Sequence, residues 1–229
     1  MEQSTQVAGK TAVRLPGRLV PRSFFEDSPE RVAPHLLGKL LVRRTPAGVI
    51  AGRIIEAEAY LGPHHQQPDP AAHAHRGPTP RNAVLFGPAG HAYVYSIYGM
   101  HFCMNISCEI RGLAGCVLLR ALEPVKGLDL MAANRGLPDD AAHRLLASGP
   151  ARLCQALGLT RLKHNGLDLT IPGSELQVRD DGRHPIQDPL ITVRIGIRHA
   201  AELPLRFVLP EHACASGPKS LNKRGTRAV

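Results

Sequence analysis

Two adjacent apolar runs constrain the fold of this chain more than any other feature of its sequence. LLGKLLVRR (36–44) and GVIAGRIIEAEAY (48–60) are rich in Val, Ile and Leu and lack helix-capping patterns. Such runs predict β-strands. The residues around Pro46, Ala47 and Gly48 favour a turn between them. We therefore expect the two strands to pair antiparallel.

A second strand pair is predicted further along the chain. HAYVYSIYGMHFCMNISC (91–108) is a β-branched and aromatic run that is interrupted at residues 98–101. This pattern predicts a β-hairpin with two large side chains, Tyr98 and Met100, at its tip. Further strands are predicted at 115–124, 191–199 and 203–209.

Helices are predicted mainly after the hairpin. Residues 124–135 and 139–147 have helical character, and SGPARLCQALGL (148–159) has Pro150 just inside its start and Gly158 near its end. Proline at the start and glycine at the end are typical of a helix. A chain of 229 residues has room for one domain, or at most two small ones. One core is expected.

The charge of the chain favours polyanionic partners. Lys and Arg number 28 against 19 Asp and Glu, a formal charge of +9, as in proteins that bind nucleic acid or an acidic membrane surface. No apolar stretch approaches the roughly 20 residues needed to span a bilayer, and the N-terminus has no apolar secretory segment. We therefore expect a soluble, cytoplasmic protein with a polyanionic partner, whose kind the charge alone does not specify.

The ends of the chain and its cysteines carry less information. Residues 1–15 are polar, and residues 212–229 end in a basic stretch, so both predict flexible tails around a domain at 16–211. The five cysteines are odd in number and contain no CxxC pair. They predict buried free thiols rather than disulfides or a zinc knuckle.

Carboxylates in the segment RIIEAEAY are candidates for catalysis. Strand alternation places Glu56, Glu58 and Tyr60 on one face, with the two glutamates about 6.5–7 Å apart along the backbone. Ile55, Ala57 and Ala59 are then expected on the other face. The glutamates could form a solvated polar face, or partial burial could raise a Glu pKa toward the range of a general base. The residues alone leave both interpretations open.

A long loop at 61–82 is rich in Pro, Gly and His, and its length without periodicity predicts a functional loop. Its imidazoles could form a metal site in which Glu58 is a ligand or base. The loop shows no HExxH spacing, so a metallohydrolase is the weaker interpretation. The candidate ligands in the loop are His64, His65, Asp69, His73 and His75.

Four further residues are hard to explain by packing alone. Tyr98 and Met100 flank Gly99 at the hairpin tip, where an exposed apolar pair on a basic protein fits a wedge between stacked bases. Arg120 lies among leucines and must pair with an acid or a ligand phosphate. Asn105 lies in an apolar run, where it could bond within the sheet or read a base edge.

Several long motifs, taken together and in order, closely resemble the alkyladenine (3-methyladenine) DNA glycosylase family. They are EAEAYLGP, AAHAHRGPTPRN, HAYVYSIYGMHFCMN, CVLLRALEP, SGPARLCQALGL and PLRF. The match runs from about Val20 to Leu209. The resemblance implies a single mixed α/β (α+β) domain with a curved antiparallel sheet, flanking helices and a protruding hairpin.

The resemblance also implies catalytic roles. Glu58 corresponds to the general base that deprotonates the water attacking the anomeric carbon. Arg120 would help to hold that water and an adjacent phosphate, and the main-chain carbonyl of Ile195 would contact the same water. No metal or organic cofactor is implied, and no lysine nucleophile is required.

Binding roles follow from the same motifs. Tyr60 would form one wall of the base pocket, and His73 and Tyr95 the other, while Asn105 would crowd the exocyclic amine of guanine. Tyr98, with Met100 beside it, would intercalate into DNA after the damaged base rotates out of the stack. The chain departs from the family in an HHQQP insertion (64–68) and in having no tryptophan.

The predicted function is therefore excision of alkylated or deaminated purines, of the 3-methyladenine, 7-methylguanine and hypoxanthine class, by a monofunctional, monomeric DNA N-glycosylase. The partner is double-stranded DNA that contains damaged purines. Two alternatives remain at this point: a metal-dependent DNA phosphodiesterase built on the loop histidines, and a non-catalytic binder of distorted DNA.

Overall fold

One antiparallel sheet organises the part of the chain that the computed structural model describes, residues 15–67, 69–97, 99–183, 185 and 187–224. Its strands are β1 (Arg18–Leu19), β2 (Leu40–Thr45), β3 (Gly48–Tyr60), β4 (Ala92–Ile97), β5 (His101–Ser107), β6 (Cys116–Lys126), β7 (Leu176–Asp180), β8 (Leu190–Thr192) and β9 (Arg206–Val208). Its helices are α1 (Pro29–Leu36), α2 (Leu128–Arg135), α3 (His143–Ala147), α4 (Pro150–Ala156) and α5 (Arg161–His164), with 3₁₀ turns at Arg22–Phe24, Ala83–Phe86 and Lys219–Asn222.

The long strand β3 lies at the centre because it is hydrogen-bonded along both edges. Strands β2 and β9 share one edge, and β6 runs along the other. The order across the sheet is β1-β7-β2-β3-β6-β5-β4, and β8 joins through β9. The predicted antiparallel pairing of the first two strands and the predicted hairpin of β4 and β5 are confirmed. Central placement carries Glu56 and Glu58 into the interior, where both are fully buried.

A β-bulge between β3 and β6 determines where one arginine points. The register passes from Glu56 opposite Ala121 to Ala57 opposite Leu119, which leaves Arg120 as an extra residue in β6. Bulges of this kind redirect a side chain. The guanidinium of Arg120 consequently lies between the two glutamates of β3, within ion-pair distance of both.

A second register shift in β3 changes the alternation of apolar side chains. It falls between Ile54 and Glu56. Ile54 packs in the main core with Ala57 and Ala59, whereas Ile55 packs in a separate small cluster that includes Cys214. The prediction that Ile55 shares a face with Ala57 and Ala59 is therefore wrong, because the bulge interrupts the two-residue period.

The main core lies between one face of the sheet and the helices. Helix α1 packs on β3, α4 packs on β5 and β6, and α2 packs on α4. Helix α4 begins at Pro150, and Gly158 lies just beyond its end with a left-handed φ of 62°, which confirms the predicted asymmetry.

Several predicted boundaries differ from the structure. The first strand was predicted from residue 36, but α1 extends to Leu36 and β2 begins only at Leu40. Residues 124–126 were predicted as the start of a helix and instead continue β6. Helix α3 occupies only the end of the predicted 139–147 helix. Strand β8 ends at Thr192, well before residue 199. Helices α1 and α5 and strands β1 and β7 were not predicted from the sequence.

The C-terminal segment, residues 212–224, differs most from the prediction, which was a flexible tail. Cys214, Ser216 and Asn222 are buried, and the segment ends in the 3₁₀ turn Lys219–Asn222. Its polar groups bond to charged side chains of β3 and β9, which explains why it packs despite low hydrophobicity. Residues 1–14 and 225–229, which belong to the predicted tails, lie outside the described residues.

The cysteines agree with the expectation from composition. All five cysteines are free and buried, and burial raises the pKa of each thiol. None of the helices in the described part of the chain has the length and hydropathy needed to cross a bilayer.

Candidate active site

Glu56 lies at the centre of a buried network of charges. Its Oε1 accepts hydrogen bonds from Nε of Arg120 at 2.9 Å, from Nε of Arg206 at 2.7 Å and from the Ser216 hydroxyl at 2.9 Å, while its Oε2 accepts the Ser216 N–H at 2.6 Å. Two arginines and two further donors satisfy this carboxylate. Glu56 is therefore a structural anchor that joins β3, β6, β9 and the C-terminal segment.

Glu58 is held differently, two residues further along the same strand. Its Oε1 accepts the Ile195 N–H at 2.8 Å and lies 3.2 Å from Nη1 of Arg120, and its Oε2 accepts the Tyr60 hydroxyl at 3.0 Å. Burial raises the pKa of Glu58, and the charge of Arg120 and these two hydrogen bonds oppose that rise. A carboxylate with a raised pKa and fixed orientation is suited to accept a proton.

A small aromatic cavity of about 100 Å³ lies beside this carboxylate. Tyr60 joins the two, because its ring lines the cavity while its hydroxyl bonds to Glu58. Four of the predicted pocket residues line it together. The complete lining is Tyr60, Ala71, His73, Tyr95, Asn105, Cys116 and Ile197.

One side of the cavity is a packed group of three rings. His73 Nδ1 lies 3.0 Å from the Tyr93 hydroxyl, and the His73 ring meets Tyr95 edge to face at 4.5 Å between centroids. Tyr93 and Tyr95 stack at 5.3 Å. Burial, together with the nearby charge of Arg81, lowers the pKa of His73, so its imidazole is neutral at physiological pH.

Asn105 faces the cavity from β5. It is buried and pairs across the sheet with Tyr93 and Leu118. Within the described residues its side-chain amide makes no hydrogen bond, although buried amides normally have a partner. This amide is therefore available to a group that enters the cavity.

Side chains of the 61–82 loop contact residues other than Glu58. Asp69 forms a fully buried, two-point ion pair with Arg194, and the Arg194 guanidinium lies 4.6 Å over the Tyr60 ring. His64 and His65 both approach Glu109. Among the residues described, the group of side chains that could hold a metal ion does not include Glu58. The metal site on Glu58 that the weaker interpretation of the loop required is not formed in the described part of the chain.

The hairpin tip has the exposure predicted for a wedge. Gly99 has a φ of 74°, and the Met100 side chain beside it is 79% exposed. Tyr98 lies outside the described residues.

A basic groove of about 910 Å³ opens on the other side of Arg120. Arg144 and Arg152 border it from α3 and α4, and Lys219 and Lys223 border it from the C-terminal segment. Glu211 is the acid among its lining residues. Clustered basic side chains of this kind attract phosphates.

Comparisons with known proteins agree with the motifs and the geometry. A family model described as Methylpurine-DNA glycosylase (MPG) matches residues 23–213. Proteins named "Putative 3-methyladenine DNA glycosylase" are similar to this chain over nearly their whole length. Those of Koribacter versatilis, Methanoculleus marisnigri and Burkholderia lata are 50%, 51% and 46% identical, over 88%, 83% and 92% of this chain and 95%, 94% and 97% of theirs.

The chain belongs to the methylpurine-DNA glycosylase family. It is a monofunctional DNA N-glycosylase of base-excision repair, and its substrate is DNA. In this glycosylase an aromatic cavity, a buried carboxylate and a basic groove lie next to one another, linked by Tyr60, Glu58 and Arg120.

Several residues around the site were missed by the sequence analysis. Ile197 lines the cavity, whereas Ile195 contributes main-chain atoms that meet Glu58 and Arg120. Arg206 and Ser216 complete the Glu56 network. An arginine within the apolar run LPLRFVL was a usable signal, because a buried arginine needs an acid. Nothing local to Ser216 indicates its role.

Proposed function

We propose that this glycosylase excises alkylated and deaminated purines, of the 3-methyladenine, 7-methylguanine and hypoxanthine class, from double-stranded DNA. The observation that carries the proposal is the placement of Glu58, a buried carboxylate with a raised pKa that is tied through Tyr60 to an aromatic cavity. The cavity is the proposed site of the flipped base.

In the proposed reaction a water molecule lies between Glu58 and the anomeric carbon of the flipped nucleotide. The water oxygen forms a bond to this carbon while its proton passes to Glu58, and the bond from the carbon to the purine nitrogen breaks. The electron pair of that bond leaves with the base. An alkylated, cationic purine departs as a neutral molecule, and the DNA retains an abasic sugar.

Arg120 is proposed to position this machinery. Its Nη1 lies 3.2 Å from Glu58 and donates to the Ile195 carbonyl at 3.3 Å. It thereby fixes both groups that would contact the attacking water. Because Arg120 also borders the basic groove, a phosphate of the flipped nucleotide can approach the same guanidinium.

The walls of the cavity favour a cationic base. Tyr60 and Tyr95 offer π-faces, which attract positive charge. His73 is neutral because burial and Arg81 lower its pKa, so it does not repel such a base. Asn105 is proposed to weaken the binding of undamaged guanine, because its side chain would crowd the exocyclic amine of that base.

DNA binding is proposed to use the hairpin tip and the basic groove together. Tyr98 and Met100, which flank Gly99 in the sequence, would occupy the space that the flipped nucleotide leaves. The groove would hold backbone phosphates. All of these groups belong to one chain, so we propose that the enzyme acts as a monomer.

The decisive experiment measures free-base release from duplexes that contain 7-methylguanine or hypoxanthine, under single-turnover conditions, once with EDTA and once without it. Glu58→Gln is expected to slow release by roughly 10²–10⁴-fold, because it removes the general base, and to leave duplex binding within a few-fold of wild type. Glu30→Gln, at an exposed position on α1, is the matched control and should retain full activity.

Other outcomes would contradict the proposal in recognisable ways. Full activity in Glu58→Gln would remove Glu58 as the base. Strand nicks that form first and disappear on chelation would indicate a phosphodiesterase. Tight binding to distorted DNA, without base release from any lesion, would indicate a non-catalytic binder.

A further inference from the structure

Three side chains with metal-binding atoms converge at a place separate from the base cavity. Nε2 of His64 lies 2.9 Å from Oε1 of Glu109, and Nε2 of His65 lies 3.1 Å from the same oxygen. The ligand atoms of the three residues all lie within 4.8 Å of one another. Two imidazoles and one carboxylate are a donor set that zinc uses in proteins.

Glu109 is the unusual member of this group because of its charge. Among the described residues, every other buried glutamate or aspartate forms an ion pair with at least one arginine. Glu109 is buried, yet its ion-pair partners in the described chain are the two histidines alone. A buried carboxylate needs compensating charge, and a divalent cation bound between these groups would supply it.

The backbone holds Glu109 in place before any ligand arrives. Its φ is 70°, a left-handed conformation that is strained in a residue with a side chain. Its N–H donates to the Phe25 carbonyl at 2.8 Å, and its Oε2 accepts the Gly115 N–H at 2.9 Å. The second contact leaves Oε1 directed at the histidines, as outer hydrogen bonds do in metal sites.

The histidines are also confined. The His65 N–H donates to the Gly62 carbonyl at 3.2 Å. A Cβ at Gly62 would lie 2.7 Å from Nδ1 of His64, so the close approach of this ring requires glycine. Ligand atoms around tetrahedral zinc are about 3.3 Å apart, for bonds of about 2.0–2.1 Å. The two N–O distances, 2.9 and 3.1 Å, are within a few tenths of an ångström of this separation. Both histidines can therefore share an ion with Glu109, with the fourth position of the ion open to water.

We propose that His64, His65 and Glu109 form a zinc site that fastens the start of the 61–82 loop to the turn after β5. The same loop carries Ala71 and His73 into the base cavity. The site lacks Glu58, so it takes no part in the chemistry of base excision. It acts on the position of the loop.

The test uses the full chain after removal of metal with EDTA and dialysis. Titration with ZnCl₂ by isothermal calorimetry should show one ion per chain, and thermal unfolding should shift to higher temperature when zinc is added. His64→Gln and Glu109→Gln should each weaken zinc binding by at least about tenfold and abolish the thermal shift. His199→Gln, an exposed histidine outside the loop, is the control and should bind zinc as wild type does.

Two results would overturn the proposal. One is the absence of stoichiometric zinc binding in the wild-type chain, which would leave His64, His65 and Glu109 as a hydrogen-bonded clasp. The other is zinc binding that persists undiminished in His64→Gln. His64 is partly exposed, so this variant is expected to fold even if Glu109→Gln does not. Both readouts are independent of glycosylase activity.

Discussion

At the scale of single residues, the two glutamates of β3 differ in the groups that surround their carboxylates. Glu56 is satisfied by Arg120, Arg206 and Ser216. Glu58 shares only Arg120 with it and otherwise meets a phenol and a backbone N–H. Less positive charge surrounds Glu58, and burial raises its pKa. The geometry therefore favours Glu58 over Glu56 as the proton acceptor.

This difference predicts the pH dependence of the reaction. A general base must be ionised, so excision of the cationic lesion 7-methylguanine should slow as the pH falls through the pKa of Glu58. Because that pKa is raised, the midpoint should lie above the value of about 4.3 for an unperturbed glutamate. The measurement is the single-turnover rate across the acid range, with circular dichroism at each pH as a control for unfolding. A rate that stays constant down to pH values near 4 would contradict the assignment.

At the scale of elements, the 61–82 loop is fixed by a buried ion pair. Asp69 accepts two bonds from Arg194 and one from the Ala71 N–H at 3.0 Å. Arg194 also donates to the Ala59 carbonyl at 3.0 Å and covers the Tyr60 ring. One pair thus positions the loop that carries His73 and the ring on β3 that contacts Glu58.

Asp69→Asn is expected to be strongly destabilising. The substitution leaves the Arg194 charge buried without its acid, and breaking a buried pair costs about 3–5 kcal/mol. Asp27→Asn removes the exposed pair with Arg31 and should cost no more than about 1 kcal/mol. Urea denaturation measures both. Equal losses would show that burial does not determine the contribution of the Asp69 pair.

At the tip of the β4–β5 hairpin, we expect a substitution to change DNA binding without changing the stability of the fold. Met100 is 79% exposed, so Met100→Ala should leave the melting temperature unchanged while it weakens binding to lesion duplexes several-fold. Ile171→Ala, at a 46% exposed apolar residue remote in sequence from the hairpin, is the control and should affect neither. Fluorescence anisotropy and thermal melts provide the measurements. Unchanged duplex binding in Met100→Ala would argue against a wedge at this tip.

At the scale of the whole molecule, the C-terminal segment closes the interior behind β3. Ser216 donates twice to Glu56, and Asn222 Oδ1 accepts Nη2 of Arg206 at 2.6 Å. The same segment supplies Lys219 and Lys223 to the basic groove. A stretch with a tail-like sequence therefore satisfies buried charges and contributes to the proposed DNA surface.

Comparing the stabilities of two shortened chains tests whether the C-terminal segment stabilises the fold. A chain that stops after Glu211 loses the partners of Glu56 and Arg206 and should be destabilised by about 3 kcal/mol or more. A chain that stops after Arg224 keeps the bonds from Ser216 and Asn222 and is the reference for the comparison. Thermal or urea unfolding compares them. If the shorter chain proved as stable as the longer one, the bonds from Ser216 and Asn222 would contribute little.

The sequence by itself determined what depends on near neighbours. Alternating β-branched and aromatic residues predicted β3 and the β4–β5 hairpin, and Pro150 with Gly158 predicted α4, because periodicity and backbone preference act over a few residues. Motifs in order identified the family. The same local signals failed at Leu36 and Ile55, where a helix end and a bulge interrupt the expected period.

Only the tertiary structure decided which polar groups meet. Arg206 lies 150 positions from Glu56, and Ser216 lies 160 positions from it. The partners of Glu109 are 44 and 45 positions away. Electrostatic and hydrogen-bonding energies depend on distance in space and on burial, which no local pattern encodes. The different partners of Glu56 and Glu58, the packing of the predicted tail and the convergence of His64, His65 and Glu109 consequently appear only in the folded chain.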